Sequence, residues 1–170
     1  MFIETKRPRH MKKLVTLFFL GTAMSLSAQE SAPNVDIKTN PIGFIAGNYS
    51  AFMESPIKNP YVTFNLGAWI WASELLGSGG GASVGVRRYF NENMEGTFIG
   101  LYARAYQNEV FSDGVGGLGF TVGKKQYLGD FIPLEYYAGL GRATGVVYDF
   151  VWGLNIGINP MRSQLQKQKR

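Results

Sequence analysis

Alternation with a period of two residues runs through most of this chain. Between residues 98 and 105, apolar Ile99, Leu101 and Ala103 alternate with Gly100 and Arg104. Successive side chains of a β-strand point to opposite faces of a sheet, so this period predicts strands rather than helices. The same pattern recurs in residues 117–123 and 150–159. The chain is therefore expected to form a sheet with one apolar face and one face of small and polar residues.

The first 28 residues differ from the rest in composition. Lys12 and Lys13 precede an apolar run that begins at Leu14 and gives way to Ser25, Ser27 and Ala28. This order is typical of a secretory signal peptide, and the apolar run is shorter than the roughly 20 residues of a membrane-spanning helix. We expect a signal peptide with an extended N-terminal region over residues 1–28, a barrel domain over 29–160 and a polar basic tail over 161–170.

Most of the net positive charge lies in the leader. The whole chain has a formal net charge of +5, but residues 29–170 hold 12 Lys and Arg against 11 Asp and Glu. Four of those cations, Arg162, Lys167, Lys169 and Arg170, belong to the tail. A nucleic-acid partner is therefore not expected, because no basic face remains for it.

The expected barrel contains eight strand-like segments and no convincing helical period. They cover residues 35–46, 49–57, 60–71, 81–91, 95–107, 115–126, 131–142 and 146–159. Glycine, proline, asparagine and aspartate mark turns between them. Segments of this length and number suit the smallest transmembrane barrels, whose strands need ~9–11 residues each. The fold class predicted is all-β, an eight-stranded antiparallel up-and-down transmembrane β-barrel.

The composition of the two faces indicates which one points outward. The polar face carries glycine, serine, asparagine, threonine and tyrosine, which fill a narrow lumen better than they form a solvated surface. The apolar face is then expected to contact lipid. Aromatic residues near strand ends are expected to form two interfacial girdles: Tyr61, Trp69, Trp71, Phe90, Tyr106, Tyr127, Phe131 and Tyr148. The alternative is a soluble barrel with the faces inverted.

Several short motifs resemble a family of small bacterial outer-membrane β-barrel proteins of unknown function. They are the Lys38-Thr39-Asn40 opening, Glu54 at the end of the second strand, and segments 86–90 (VRRYF) and 96–102 (GTFIGLY). The resemblance covers residues 35–160 and implies an outer-membrane barrel with no catalytic residues to carry over. Pro41 and the tail RSQLQKQKR depart from the pattern.

Few residues of the chain suit catalysis or metal binding. The single histidine, His10, lies in the leader, and there is no cysteine. Histidine-based catalysis and zinc sites are therefore not expected after residue 28, and we predict no enzyme activity, metal or cofactor.

Charged residues on the inward face form the candidate site. They are Glu54, Arg87, Arg104 and Glu135. Buried charges must be paired, so we expect Arg104 to pair with one of these carboxylates and to help plug the lumen. The alternative is a selective polar conduit, although eight strands leave an interior that side chains fill.

Together these patterns predict a bacterial outer-membrane barrel with a structural or surface-interaction role. The expected partners are outer-membrane lipid, the barrel assembly machinery and an extracellular or envelope protein, recognised through loops 72–80 and 107–116. Two other functions are open: a soluble periplasmic lipocalin-like barrel that binds a small apolar ligand, and a lipid-modifying outer-membrane enzyme.

Overall fold

A computed structural model describes residues 34–73, 77–108, 114–129, 131–144 and 146–160. The predicted signal peptide and basic tail lie outside the described residues. Within the described ranges, no helix has the length and apolar character needed to cross a membrane.

Eight antiparallel strands close into one barrel. Each strand pairs with the next along the chain, and β8 pairs back with β1, so the predicted all-β fold with eight strands is confirmed. We call the end where β1 begins and β8 ends the termini end, and the opposite end the far end. The strands are β1 (Asp36–Thr39), β2 (Asn48–Pro56), β3 (Val62–Ser73), β4 (Gly77–Tyr89), β5 (Gly96–Asn108), β6 (Val115–Leu128), β7 (Ile132–Ala143) and β8 (Val146–Ile158).

The apolar face of the sheet points out of the barrel. Leu101, Leu118 and Phe150 are 70%, 68% and 64% exposed, whereas Glu54 and Glu135 are fully buried. Ordinary water-soluble proteins show the opposite distribution, because burying a charge is costly unless it is paired and hydrogen-bonded. The alternation in the sequence therefore predicted the two faces correctly.

The girdle prediction is wrong for four aromatic residues. Trp69, Trp71, Tyr106 and Tyr127 occupy inward positions of their strands, which their alternation with outward Ile70 and Leu128 requires. Trp71 and Tyr106 face each other inside the barrel, with ring centroids 6.4 Å apart. The other four lie exposed on the outside: Tyr61, Phe90, Phe131 and Tyr148.

The first strand is much shorter than predicted. Instead of covering 35–46, β1 ends at Thr39, and a short helix, α1 (Pro41–Ile45), follows it. Asn40 caps this helix by accepting a hydrogen bond from the Gly43 amide. Pro41 occupies the first helical turn, where the backbone N–H that proline lacks has no partner within the helix. Strand β1 consequently pairs with β8 through three residues, Ile37, Lys38 and Thr39.

Beyond Thr39, toward the far end, the barrel wall is not a continuous sheet. Helix α1 contacts both β2 and β8 at this position, where a longer β1 would otherwise lie. Among the described residues, no strand pairs with the edge of β8 that faces away from β7 between Tyr148 and Asn155. We call this region the seam.

The glycine-rich segment that was predicted as a turn extends β4 by four residues. Gly77 to Gly80 pair in register with Ser73 to Ile70 of β3. A Cβ atom at Gly79 would lie 2.5 Å from the Trp71 ring, and one at Gly81 would lie 2.6 Å from the Trp69 ring. Glycine is needed here because the two indole rings pack directly on the neighbouring backbone. Loop 72–80, a predicted recognition loop, is therefore mostly strand.

A compact turn closes the termini end between β4 and β5. Asn93 and Met94 have φ angles of 65° and 60°, and the Met94 side chain is buried against Tyr89 and Phe98. The Tyr61 hydroxyl ties the preceding turn to this one by donating to the Glu92 carboxylate at 2.9 Å. That hydrogen bond to a negative charge raises the pKa of Tyr61.

Candidate functional site

Six charged side chains meet in the lumen at the termini end. We call them the lumen ion cluster; the carboxylates are Asp36, Glu54 and Glu135, and the cations are Lys38, Arg87 and Lys125. They come from five different strands, with Asp36 and Lys38 both on β1, and alternation directs each of them inward. Because three cations face three carboxylates, the cluster has no net formal charge.

Each cation bridges two carboxylates. Lys38 Nζ lies 2.6 Å from Glu54 and 2.5 Å from Glu135. Arg87 contacts the same two carboxylates at 3.3 and 2.7 Å. Lys125 Nζ lies 2.7 Å from Asp36 and 2.9 Å from Glu54. Glu54 therefore contacts all three cations and is the centre of the cluster.

Neutral side chains satisfy the remaining carboxylate oxygens. Glu54 Oε1 accepts from the Thr63 and Tyr89 hydroxyls at 2.6 and 2.8 Å. Asn155 donates to Glu135 at 3.1 Å. Asp36 accepts from Tyr127 at 2.9 Å and from Asn159 at 2.6 Å. Every carboxylate oxygen in the cluster thus has a donor, which is what a buried ionic network needs in order to be tolerated.

Aromatic rings pack against two of the cations. The Arg87 guanidinium lies 4.5 Å from the centroid of Phe98, and Lys125 Nζ lies 4.8 Å from that of Tyr89. A cation over a ring face is attracted to its quadrupole. Glu54, Lys125, Glu135, Tyr89 and Phe98 are all at most 1% exposed, so side chains fill this end of the lumen.

Three of the four predicted site residues, Glu54, Arg87 and Glu135, meet in the cluster. The expectation that Arg104 pairs with one of these carboxylates is wrong, because its partner is Asp149 of β8. Arg104 lies four residues further along β5 than Gly100, which pairs with Arg87. That is about 13 Å toward the far end, beyond reach of Glu54 or Glu135.

The far half of the lumen has different contents. The Tyr102 hydroxyl donates to Asp149 at 3.3 Å, and the Arg104 guanidinium lies 5.1 Å from the centroid of Tyr106. A Cβ at Gly119 or Gly141 would collide with the Tyr102 hydroxyl. Small residues therefore make room for large ones here, and Arg104 and Asp149 form an ion pair separate from the lumen ion cluster.

Sequence reasoning did not assign Asp36, Lys38, Lys125 or Asp149 to the candidate site, although Lys38 belongs to the Lys38-Thr39-Asn40 opening. A signal was available for all four, since each lies at an inward position in the alternation of its strand.

Within the described residues, no group of three His, Cys, Asp or Glu side chains converges as metal ligands.

Comparison with known proteins adds no relatives. No protein-family model, curated protein or solved structure matches this chain.

Proposed function

We propose that this protein is a small outer-membrane β-barrel of a bacterium, exported through a signal peptide, with a structural role in the membrane and no enzymatic activity. The observation that carries the proposal is the inverted distribution of polarity, with apolar side chains outside and ion pairs inside. A closed barrel is one of the two architectures that can cross a bilayer, because its strands satisfy each other's backbone groups around the circumference. Here β8 pairs with β1 at the termini end, and α1 contacts β8 at the seam.

The filled lumen supports a plugged barrel rather than a pore. Six ionic side chains from five strands meet across the termini end, and the bulky side chains of Tyr89 and Phe98 are fully buried beside them. Eight strands leave an interior that side chains fill, whereas aqueous channels need more strands. We therefore propose that the barrel does not conduct ions in its folded state.

A lipocalin-like role is disfavoured by the same geometry. Such a barrel would need an apolar interior to bind an apolar ligand and a polar exterior to stay in water. Here Leu101, Leu118 and Phe150 are exposed, and the lumen contains paired charges. Because loop 72–80 is mostly strand, a surface-interaction role would fall mainly on the segment around residues 107–116.

Fractionation followed by a gel assay tests the proposal. We expect the full chain in the outer-membrane fraction, extractable only with detergent, and migrating faster on a denaturing gel when unboiled than when boiled. Planar-bilayer recordings of the refolded protein should show no discrete openings. Recovery in a detergent-free periplasmic extract would refute the membrane role, and steady openings would refute the plug.

A further inference from the structure

A groove crosses the outer surface of the barrel over strands β5 to β8. It is open, has a volume of about 600 Å³ and lies on the half nearer the termini end. Its lining residues include Thr97, Val122, Lys124, Tyr136, Ala138 and Trp152. We call it the outer groove.

The register of the sheet explains why a groove forms here. Val122, Ala138 and Trp152 are paired side by side on β6, β7 and β8, so a methyl group lies between two larger side chains. Gly123 and Gly153, which follow Val122 and Trp152, also line it. The apolar part of the groove is therefore a notch over Ala138, between the larger side chains of Val122 and Trp152.

A cation lies at the termini end of this notch. Lys124 is two residues from Val122 along β6, and its register partners on β5 and β7 are Thr97 and Tyr136. Each cation of the lumen ion cluster contacts two carboxylates, but Lys124 forms no ion pair with any carboxylate that the structure describes. The groove thus joins the Lys124 ammonium group and two hydroxyl groups to an apolar notch about 7 Å further along the strands.

We propose that the outer groove binds a glycerophospholipid with a net negative headgroup, from the membrane leaflet at the termini end. The proposal rests on the membrane location proposed above. Lys124 and the Thr97 hydroxyl bind the headgroup phosphate, and an acyl chain lies in the notch over Ala138. An anionic lipid is favoured because Lys124 forms no ion pair within the described residues, and a basic residue at a membrane surface attracts anionic headgroups.

Native mass spectrometry of the full chain tests this site. The protein, purified in neutral detergent, is mixed in turn with phosphatidylglycerol, phosphatidylethanolamine and phosphatidylcholine. We expect phosphatidylglycerol to be retained preferentially. Lys124→Gln should weaken that retention about fivefold, the loss typical of one surface lysine, and Ala138→Leu should weaken it by filling the notch.

Two matched variants separate the groove from general surface effects. Arg88 is an exposed cation near the same end of the barrel but outside the groove. Ala103 is also an outward alanine between two larger residues, Val84 and Leu118, with no lysine in register two positions away. Arg88→Gln should weaken lipid retention clearly less than Lys124→Gln does, and Ala103→Leu should leave it unchanged.

Two results would overturn the proposed lipid site without affecting the proposed function. One is equal retention of all three lipids, and the other is an equal effect of Arg88→Gln and Lys124→Gln. In either case a barrel that remains in the outer membrane and shifts on heating would keep the proposed function intact. A chain recovered without detergent would refute both.

Discussion

Glu54 is the residue on which the lumen ion cluster depends most. Replacing it by glutamine keeps its shape but leaves three buried cations facing two carboxylates. Removing one partner of a buried ionic group costs about 3–5 kcal/mol, because the opposite charge stays buried without compensation. We therefore expect Glu54→Gln to lower the free energy of unfolding by that amount, measured by urea titration of protein folded into phosphatidylcholine vesicles.

Glu92→Gln is the matched control for this variant. Glu92 lies exposed in a turn, and the hydrogen bond that the structure gives its side chain comes from Tyr61. Substitutions at such surface positions usually change stability by less than about 0.5 kcal/mol. If Glu54→Gln cost no more than Glu92→Gln, water and not cations would be compensating the Glu54 carboxylate.

Arg104 and Asp149 offer a double-mutant cycle at the other end of the lumen. Arg104→Met and Asp149→Leu each leave one charge without its partner, whereas the double variant removes both. Replacing a whole buried pair by apolar groups is often neutral, so the double variant should unfold at higher urea than either single variant. Additive losses of stability would mean that the two side chains do not interact.

The part of the site that the sequence could predict comes from the alternation of side chains between the two faces of each strand. Once Ile99 and Leu101 are outward, Arg104 must be inward, and the same argument directs Glu54, Arg87 and Glu135 to the lumen. This alternation tells which face of the sheet a side chain lies on. It does not give the position of the side chain along the barrel axis, which depends on the hydrogen-bond register between strands distant in sequence. The partner of Arg104 could therefore not be read from the sequence, because Asp149 reaches its level only through the register of the closed barrel.

At the scale of elements, the glycines of β4 show one signal overriding another. Four glycines and one serine in residues 77–81 predicted a turn, because glycine favours turns. In the sheet they pair with the residues around Trp69 and Trp71 and provide space for the indoles. That need became visible only once β3 and β4 were placed in register.

Gly81→Ala tests this packing. The added Cβ would lie 2.6 Å from the Trp69 ring and 2.7 Å from the Ala105 carbonyl oxygen, so something must shift. Overpacking of this kind costs about 1–3 kcal/mol, which urea unfolding in vesicles would measure. Gly116→Ala is the control, since a Cβ there meets no atom within 4 Å. Equal stability of the two variants would contradict the packing described.

The seam is a second departure from regular sheet, and Pro41 is its origin in the sequence. Proline has no backbone N–H to donate to a strand ladder, so β1 ends before it. Beyond that point α1 lies where a longer β1 would have paired with β8. The helical outcome also needed Asn40 as its cap. The prediction of a single strand through residue 46 rested on alternation. It did not take into account that Asn40 and Pro41 favour the start of a helix at this point.

Hydrogen exchange should distinguish the two edges of β8. Amides between Phe150 and Asn155 that point toward β7 are in a ladder, whereas those that point toward the seam have no strand partner among the described residues. In detergent micelles we expect alternate amides of this segment to exchange faster than their neighbours. Uniform protection along β8 would show that another group pairs with this edge.

At the scale of the whole molecule, the ion pairs and the apolar surface have one joint explanation. Paired charges in the lumen are tolerated because protein donors replace water, and the same charges on the outside would be costly in lipid. An apolar exterior of this extent would favour aggregation in water but suits a bilayer. The proposed membrane location therefore rests on the two faces considered together, and on neither alone.

Charge scanning at two depths tests that conclusion directly. Leu101 lies near the middle of β5 and is 70% exposed, whereas Leu128 ends β6 and is 51% exposed. In a bilayer, arginine at mid-depth costs about 2–4 kcal/mol, and near the interface about 0–1 kcal/mol. Leu101→Arg should therefore lower the free energy of unfolding in vesicles far more than Leu128→Arg does. If both variants stayed within about 0.5 kcal/mol of the unsubstituted protein, as expected for exposed positions in water, the apolar face would not be in contact with lipid.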